Sequence, residues 1–442
     1  MPALNTASPD GKPGRRLWPL DVAGTAGLLA YVGLAVLTRA EGAMALRHYF
    51  GLLGVAWLAL LAAWAWRAEG RGLVRRIWFW GVAFRLVGLW GQPVLEDDWA
   101  RYLWDGRQFA TVGTPYATAP LEHFADEQVP PEFQRLLDQI NHPDVPTIYG
   151  PVCQFVFLLS YGTAPAQLWP LKLALVLADL LTLGLLLRAT RPGYALLYAW
   201  CPLVIQETAF SAHPDALGIF FAVAALVAFQ KQRWPWVAVC LALGGGARIY
   251  ALLLAPFLLW PAPRKYWLLF AAALAALHAP FWWQGAAMNG LGAFARHWEF
   301  NSFAFAVVAP LAGVGTAKVV CGLLFLAFAS VCFWNWRERA GGPMSPWPRG
   351  DWLFGAFFLL SPVVNPWYLL WLVPFVARTP SAAGVTALAV VSLSYATGMN
   401  LGDPSLGAYA HPCWVRPAEF SAVLLAALWD WRRAARSERE AD

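Results

Sequence analysis

Long apolar runs fill most of this 442-residue chain, separated by short segments that carry arginine or proline. Runs at about 19–38, 49–66, 77–92 and 168–187 approach the roughly 20 residues a helix needs to cross a bilayer. Other runs are interrupted. Gly244-Gly245-Gly246-Ala247-Arg248 breaks the one from about 235 to 262, and Ser361-Pro362-Val363-Val364-Asn365-Pro366 breaks another. Counted as spans, the runs predict an all-α integral membrane protein, a polytopic helical bundle of about 12–14 spans. The apolar piece 152–163 is too short to cross. It reads as a re-entrant or surface helix, because Arg188 and Arg191 require the next span to end on the arginine side.

The pattern changes at Pro93. From there to about residue 167 the chain stays polar, aromatic and proline-rich, which makes 93–167 the first large outer loop of a single domain, 1–442. Its sequence Glu96-Asp97-Asp98-Trp99-Ala100-Arg101-Tyr102-Leu103-Trp104-Asp105-Gly106-Arg107 predicts an amphipathic helix over 97–110. At 100° per residue Asp98, Arg101, Asp105 and Gln108 share one face, with Trp99, Leu103, Gly106 and Ala110 opposite. Asp97 or Asp98 is a natural N-cap, and Gly113 with Pro115 ends the helix. The helix is expected at the membrane surface with its charged face away from lipid. The plain alternative is a solvated helix held by Asp97–Arg101 and Asp98–Arg101 pairs, worth about 0.3–0.5 kcal/mol each.

Composition fixes the class. The chain is 59% hydrophobic and 13% charged, with a mean hydropathy of +0.49, values unsuited to a soluble core of this size. Of 32 Lys and Arg, 21 fall in the segments between outer loops, whereas Glu96–Asp144 holds ten acids against three arginines. That asymmetry places the acidic loop outside and both termini in the cytoplasm, in the cytoplasmic membrane. It also accounts for the net charge of +6, so nucleic acid is not an expected partner; membrane lipid is. Six cysteines lack metal spacing and read as packing residues, with Cys153 and Cys413 the one pair placed for an outer disulfide.

Candidate chemistry gathers at the outer ends of the spans. Glu207, His213 and Asp215 lie within nine residues at one membrane depth. Arg248 sits in the glycine break and needs an anionic partner, either a substrate phosphate, slightly favoured, or Asp215 or Glu207. His297 belongs to a second outer loop, and Trp367-Tyr368 follow the second break, where they are interface anchors or a platform for a sugar ring. An acidic outer loop beside a buried arginine suits transfer of a sugar from a polyprenyl-phosphate carrier. Asp98 is the first choice of base and Asp97 the second; arginine or a divalent ion offsets charge on the leaving phosphate. Two adjacent acids work with or without such an ion (Mg or Mn), so metal dependence stays open, with Asp97 and Asp98 as its ligands if one binds. Tyr149 joins the cavity set, with Arg101 orienting the carboxylates or meeting phosphate, and Asp105 and Arg107 positioning the helix or binding acceptor.

The same residues resemble a known family. Asp97-Asp98-Trp99-Ala100-Arg101-Tyr102-Leu103-Trp104-Asp105-Gly106-Arg107 is similar to the Asp-Asp-x-x-Arg-Tyr-x-Trp-Asp-Gly-Arg signature of a mannosyltransferase-like bacterial branch of the GT-C integral-membrane glycosyltransferases. Thr114-Pro115-Tyr116 stands for that branch's Asn-Pro-Tyr, and Pro146-Thr147-Ile148-Tyr149-Gly150-Pro151 for Pro-Thr-Ile-Tyr-Pro-Pro. Arg248 stands where a lysine is usual. His213-Pro214-Asp215 and Pro366-Trp367-Tyr368 also look like features of the branch. The resemblance implies a GT-C-type bundle, catalytic aspartates in the first loop, and a substrate set that takes in Tyr102 and Tyr116. It implies a polyprenyl-phosphate sugar donor, mannose or another hexose, and a glycan, lipid or protein acceptor. The rival reading is a transporter or lipid flippase built on the same broken helices.

Overall fold

A computed structural model of the chain describes residues 17–40, 45–67, 71–283, 290, 292, 298–340 and 346–439. Three helices open it: α1 (Trp18–Arg39), α2 (Leu46–Trp66) and α3 (Arg71–Trp90). α1 packs on both others. Gly24 lets Trp80 of α3 lie directly on α1, where a Cβ would meet the indole at 2.3 Å. Trp80 and Arg76 both bond Asp21, at 3.2 and 2.9 Å.

The polar segment follows, as α4 (Asp98–Val112), α5 (Pro131–Leu137) and α6 (Pro151–Thr163). Next come α7 (Trp169–Ala189), α8 (Pro192–Ala199) and α9 (Pro202–Ile205). Proline at the first position starts α5, α6, α8 and α9, where its missing N–H is no loss. α9 runs into a wide turn at Gln206–Phe210, with the Ser211 amide bonded to the Gln206 carbonyl at 2.9 Å. Ala212 then takes φ 64°, a strained value for a residue with a Cβ, before α10 (Asp215–Gln230). α11 (Trp234–Ala247), α12 (Ala255–Leu259) and α13 (Arg264–Trp283) complete this part.

Five described helices, α1, α2, α7, α13 and Val314–Arg337, are long and apolar enough to cross a membrane. α13 and Val314–Arg337 bury few of their side chains, leaving Leu268, Leu323 and Trp334 outward, as lipid requires. The expectation of 12–14 spans is not what helix length supports. Seven further apolar segments have only 10–17 residues, because glycine, proline and serine interrupt the runs. The break after Gly246 is as expected: α11 stops at Ala247 and Arg248 is extended. Among the described residues there is no strand, only a bridge between Phe300 and Val363.

Two other expectations change. α4 does not lie on a surface: it is enclosed through Gln108, with Asp105 and Gln108 buried on the face expected to meet solvent. α6 packs on α4 and α11, with Gly106 set against the Phe157 backbone, while Phe155 and Leu159 point outward. The disulfide is absent. Cys153 and Cys413 are both free, and the buried Cys153 thiol faces the Ala247 carbonyl at 3.3 Å.

Buried ions tie α3 to α7 and α8. Arg85 pairs with Asp179, and donates to the carbonyls of Gly81 and Ala199 at 2.9 and 2.8 Å; Tyr198 donates to Asp179 at 2.7 Å. Lys172 donates to the carbonyls of Gly88, Leu89 and Gly91, closing the C-terminus of α3 just before the polar segment. Replacing Asp179→Ala leaves Arg85 buried and unpaired, a loss of about 3–5 kcal/mol. The expected outcome is a clear fall in the melting temperature of detergent-purified protein; an unchanged melt would show that the pair holds nothing together.

Candidate functional site

A cavity of about 930 Å³ lies where the N-terminus of α4 meets the loop before α6, Arg248, and the breaks at Asn365–Tyr368 and Ser394–Asn400. Asp97 occupies the N-cap position of α4 but its side chain does not cap. The Asp98 amide donates instead to Glu96 Oε2 at 2.7 Å. Freed from capping, Asp97 accepts from the Tyr409 hydroxyl at 3.2 Å, and Asp98 accepts from Tyr149 at 3.0 Å and Tyr102 at 3.5 Å.

The rest of α4 builds the wall. Arg101 makes no ion pair with Asp97 or Asp98. Its guanidinium donates to the carbonyls of Val145 (2.5 Å) and His142 (3.4 Å), holding the loop over the helix. Asp105 accepts from Thr147 at 2.5 Å and Gln154 at 2.9 Å, pinning the loop to α6. Arg107 lies over the rings of Trp104 and Phe133. Tyr116 donates to the Tyr149 carbonyl at 2.8 Å, and Tyr102 stacks on Phe157.

The opposite wall centres on Arg248. Its partner is Asp215, at 2.6 and 3.0 Å, one of the two internal acids held open from sequence beside a substrate phosphate. Trp371 donates to the other Asp215 oxygen at 2.9 Å, and Arg248 lies over the Tyr149 ring. Behind this wall His213 stacks on Trp367 at 4.0 Å. Its Nδ1 stands 2.9 Å from Glu207 Oε2 and its Nε2 3.7 Å from Glu96 Oε2. Tyr395 donates to Glu207 at 2.9 Å.

Of the residues singled out in the sequence, Asp97, Asp98, Arg101, Tyr149, Arg248, Trp367 and Tyr368 line the cavity. Tyr102, Asp105, Tyr116, Glu207, His213 and Asp215 stand behind it, buried, and Arg107 lies partly buried outside it. His297 is outside the described residues. Among the described residues, Glu96, Asp98 and His213 bring donor atoms within 4.8 Å of one another, a group that shares Asp98 with the pair named from sequence. Glu96 was readable from its place beside Asp97. Tyr395 and Tyr409 were not, being about 300 residues from α4 with no local pattern around them.

Burial dominates the electrostatics. It raises the Asp98 carboxyl, against the pull of the Tyr149 hydroxyl, Arg248 and Arg101. It raises Glu96 well above the usual carboxylate range, and the Asp98 charge adds to this. Asp97 is pushed up to about 6 by burial and then by Asp98. The carboxylates are thus held for proton exchange nearer neutrality than free acids would be.

No family model, curated protein or solved structure matches the chain.

Two tests follow from the wall. Gly150, which stands where the similar motif has proline, lies against Gly246: a Cβ there would fall 2.2 Å from the Gly246 carbonyl oxygen. Gly150→Ala is expected to destabilise by about 1–3 kcal/mol, read as a lower melting temperature; a neutral result would mean the contact yields freely. Burial raises Asp105 to about 6, from an ordinary value near 3.8, and its Oδ1 has no hydrogen-bond partner. A raised carboxyl binds its proton more tightly when folded, so its contribution is full below the unfolded value and is lost as pH rises through about 6. Asp105→Asn, which has no such proton to lose, should flatten the dependence of melting temperature on pH across that window; an identical dependence would remove Asp105 as its source.

Proposed function

We propose that the protein is a membrane glycosyltransferase that moves a sugar from a polyprenyl-phosphate carrier to an acceptor at the outer face of the cytoplasmic membrane. The observation that carries this reading is one cavity in which the Asp97–Asp98 carboxylates share the lining with Arg248 and the Trp367–Tyr368 aromatic pair. A carboxylate with its proton affinity raised by burial is suited to take the acceptor hydroxyl proton. The acceptor oxygen then bonds to the sugar C1 as the bond from C1 to the phosphate oxygen breaks. The electron pair leaves with the polyprenyl phosphate, whose charge Arg248 meets with the N–H groups it does not give to Asp215. Trp367 and Tyr368 bring aromatic rings to the cavity lining, Trp367 with His213 stacked on one face. Broken helices around the cavity fit a lipid-borne donor whose tail stays in the bilayer while its head enters a polar space.

The test is transfer by purified protein in vesicles supplied with radiolabelled polyprenyl-phosphate mannose, then glucose and arabinose analogues. Label should leave the lipid carrier with the unmodified protein and fall by about 10²–10⁴-fold with Asp98→Asn. Folded protein that releases label from no donor would sink the transferase reading and favour a transporter.

A further inference from the structure

Glu96 and Asp98 flank the start of α4, whereas His213 comes from the turn before α10, more than a hundred residues away. Their donor atoms nevertheless lie within 4.8 Å of one another. A metal bonded at about 2.0–2.2 Å to N and O ligands sets those ligands about 3–4 Å apart, so a small inward rotation closes the site.

Two of the groups keep buried polar atoms without a hydrogen bond. Glu96, with a side chain only 9% exposed, has no hydrogen bond to Oε1, and the fully buried His213 has none to either ring nitrogen. A buried polar atom left unpaired costs about 1–3 kcal/mol. A cation between them answers both.

The surroundings of the imidazole point the same way. Metal-ligating histidines direct their second nitrogen at a carboxylate or carbonyl, which fixes the tautomer. Here Nδ1 stands 2.9 Å from Glu207, Glu207 is in turn held by Tyr395, and the ring is clamped against Trp367. Nε2 is on the Glu96 side of the ring, 3.7 Å from Oε2. Nearby positive charge is already committed: Arg248 to Asp215, and Arg101 to two backbone carbonyls. Glu96 and Asp98 line the cavity while His213 does not, so a bound ion would keep coordination positions open on the cavity side.

We propose that Glu96, Asp98 and His213 bind one divalent transition-metal ion, with Glu207 and Tyr395 orienting the imidazole. One imidazole nitrogen with two carboxylate oxygens suits zinc or manganese better than magnesium or calcium, which prefer all-oxygen sites. The metal site does not depend on the transferase reading, because an ion binds without donor or acceptor.

The experiment uses full-length protein in detergent, stripped with chelator and titrated with Mn²⁺ and, separately, Zn²⁺. Calorimetry should show one ion per chain, and electron paramagnetic resonance of the Mn²⁺ form should show coupling to one nitrogen. His213→Gln should abolish that coupling and Glu96→Gln should weaken binding. Glu207→Gln should lower affinity by about 10–100-fold while keeping the nitrogen signal. Asp97→Asn should retain one ion per chain. Folded protein that binds neither ion, nitrogen coupling that survives His213→Gln, or loss of the ion in Asp97→Asn would each overturn the assignment. Should His213→Gln fail to fold, nitrogen coupling in the unmodified protein together with the Glu96→Gln titration decides it.

Discussion

The pair between Arg248 and Asp215 is the constraint around which the cavity is arranged. An arginine at the end of a broken apolar helix cannot be left facing lipid, and its partner stands at the first residue of the neighbouring helix. Trp371 bonds the same carboxylate from a third element, and Tyr149 offers its ring from a fourth. One ion pair thus fixes α10, α11, the Pro366–Leu372 turn and the loop before α6 around a common centre. Such pairs contribute little net stability compared with apolar packing, yet breaking one is severe. Their value here is register: the charge is answered where the four elements meet.

The same logic explains what the sequence made readable. Polar residues in an apolar chain are conspicuous, so the Glu96–Arg107 stretch, the glycine break at 244–246 and the stop at Gly113 stand out by composition alone. Gly113 adopts the left-handed conformation (φ 83°) that such a stop requires. Periodicity also placed Asp98, Arg101 and Asp105 on one face of α4. It could not say that the face would be covered, because the cover is the loop at Asn141–Tyr149, which carries no helical or apolar signature and is held there by Arg101 and Asp105 themselves. An amphipathic pattern reports that two faces differ, not which of them meets water.

The count of spans was illegible for a related reason. Hydropathy averages over the breaks at Arg248 and Ser361–Asn365, whereas helix length does not, and several apolar segments stop after 10–17 residues. The partners of the carboxylates were out of reach as well. Tyr395 and Tyr409 differ from the chain's other tyrosines only by where the fold brings them, beside Glu207 and Asp97.

The contact between Gly150 and Gly246 joins two walls of the cavity backbone to backbone, with no side chain between them to yield. Gly246 is two residues from Arg248, and Gly150 is next to Tyr149, which holds Asp98. The two sides therefore cannot adjust separately. The close packing of two backbones there leaves no room for a side chain between the arginine wall and the tyrosine that bonds the carboxylate.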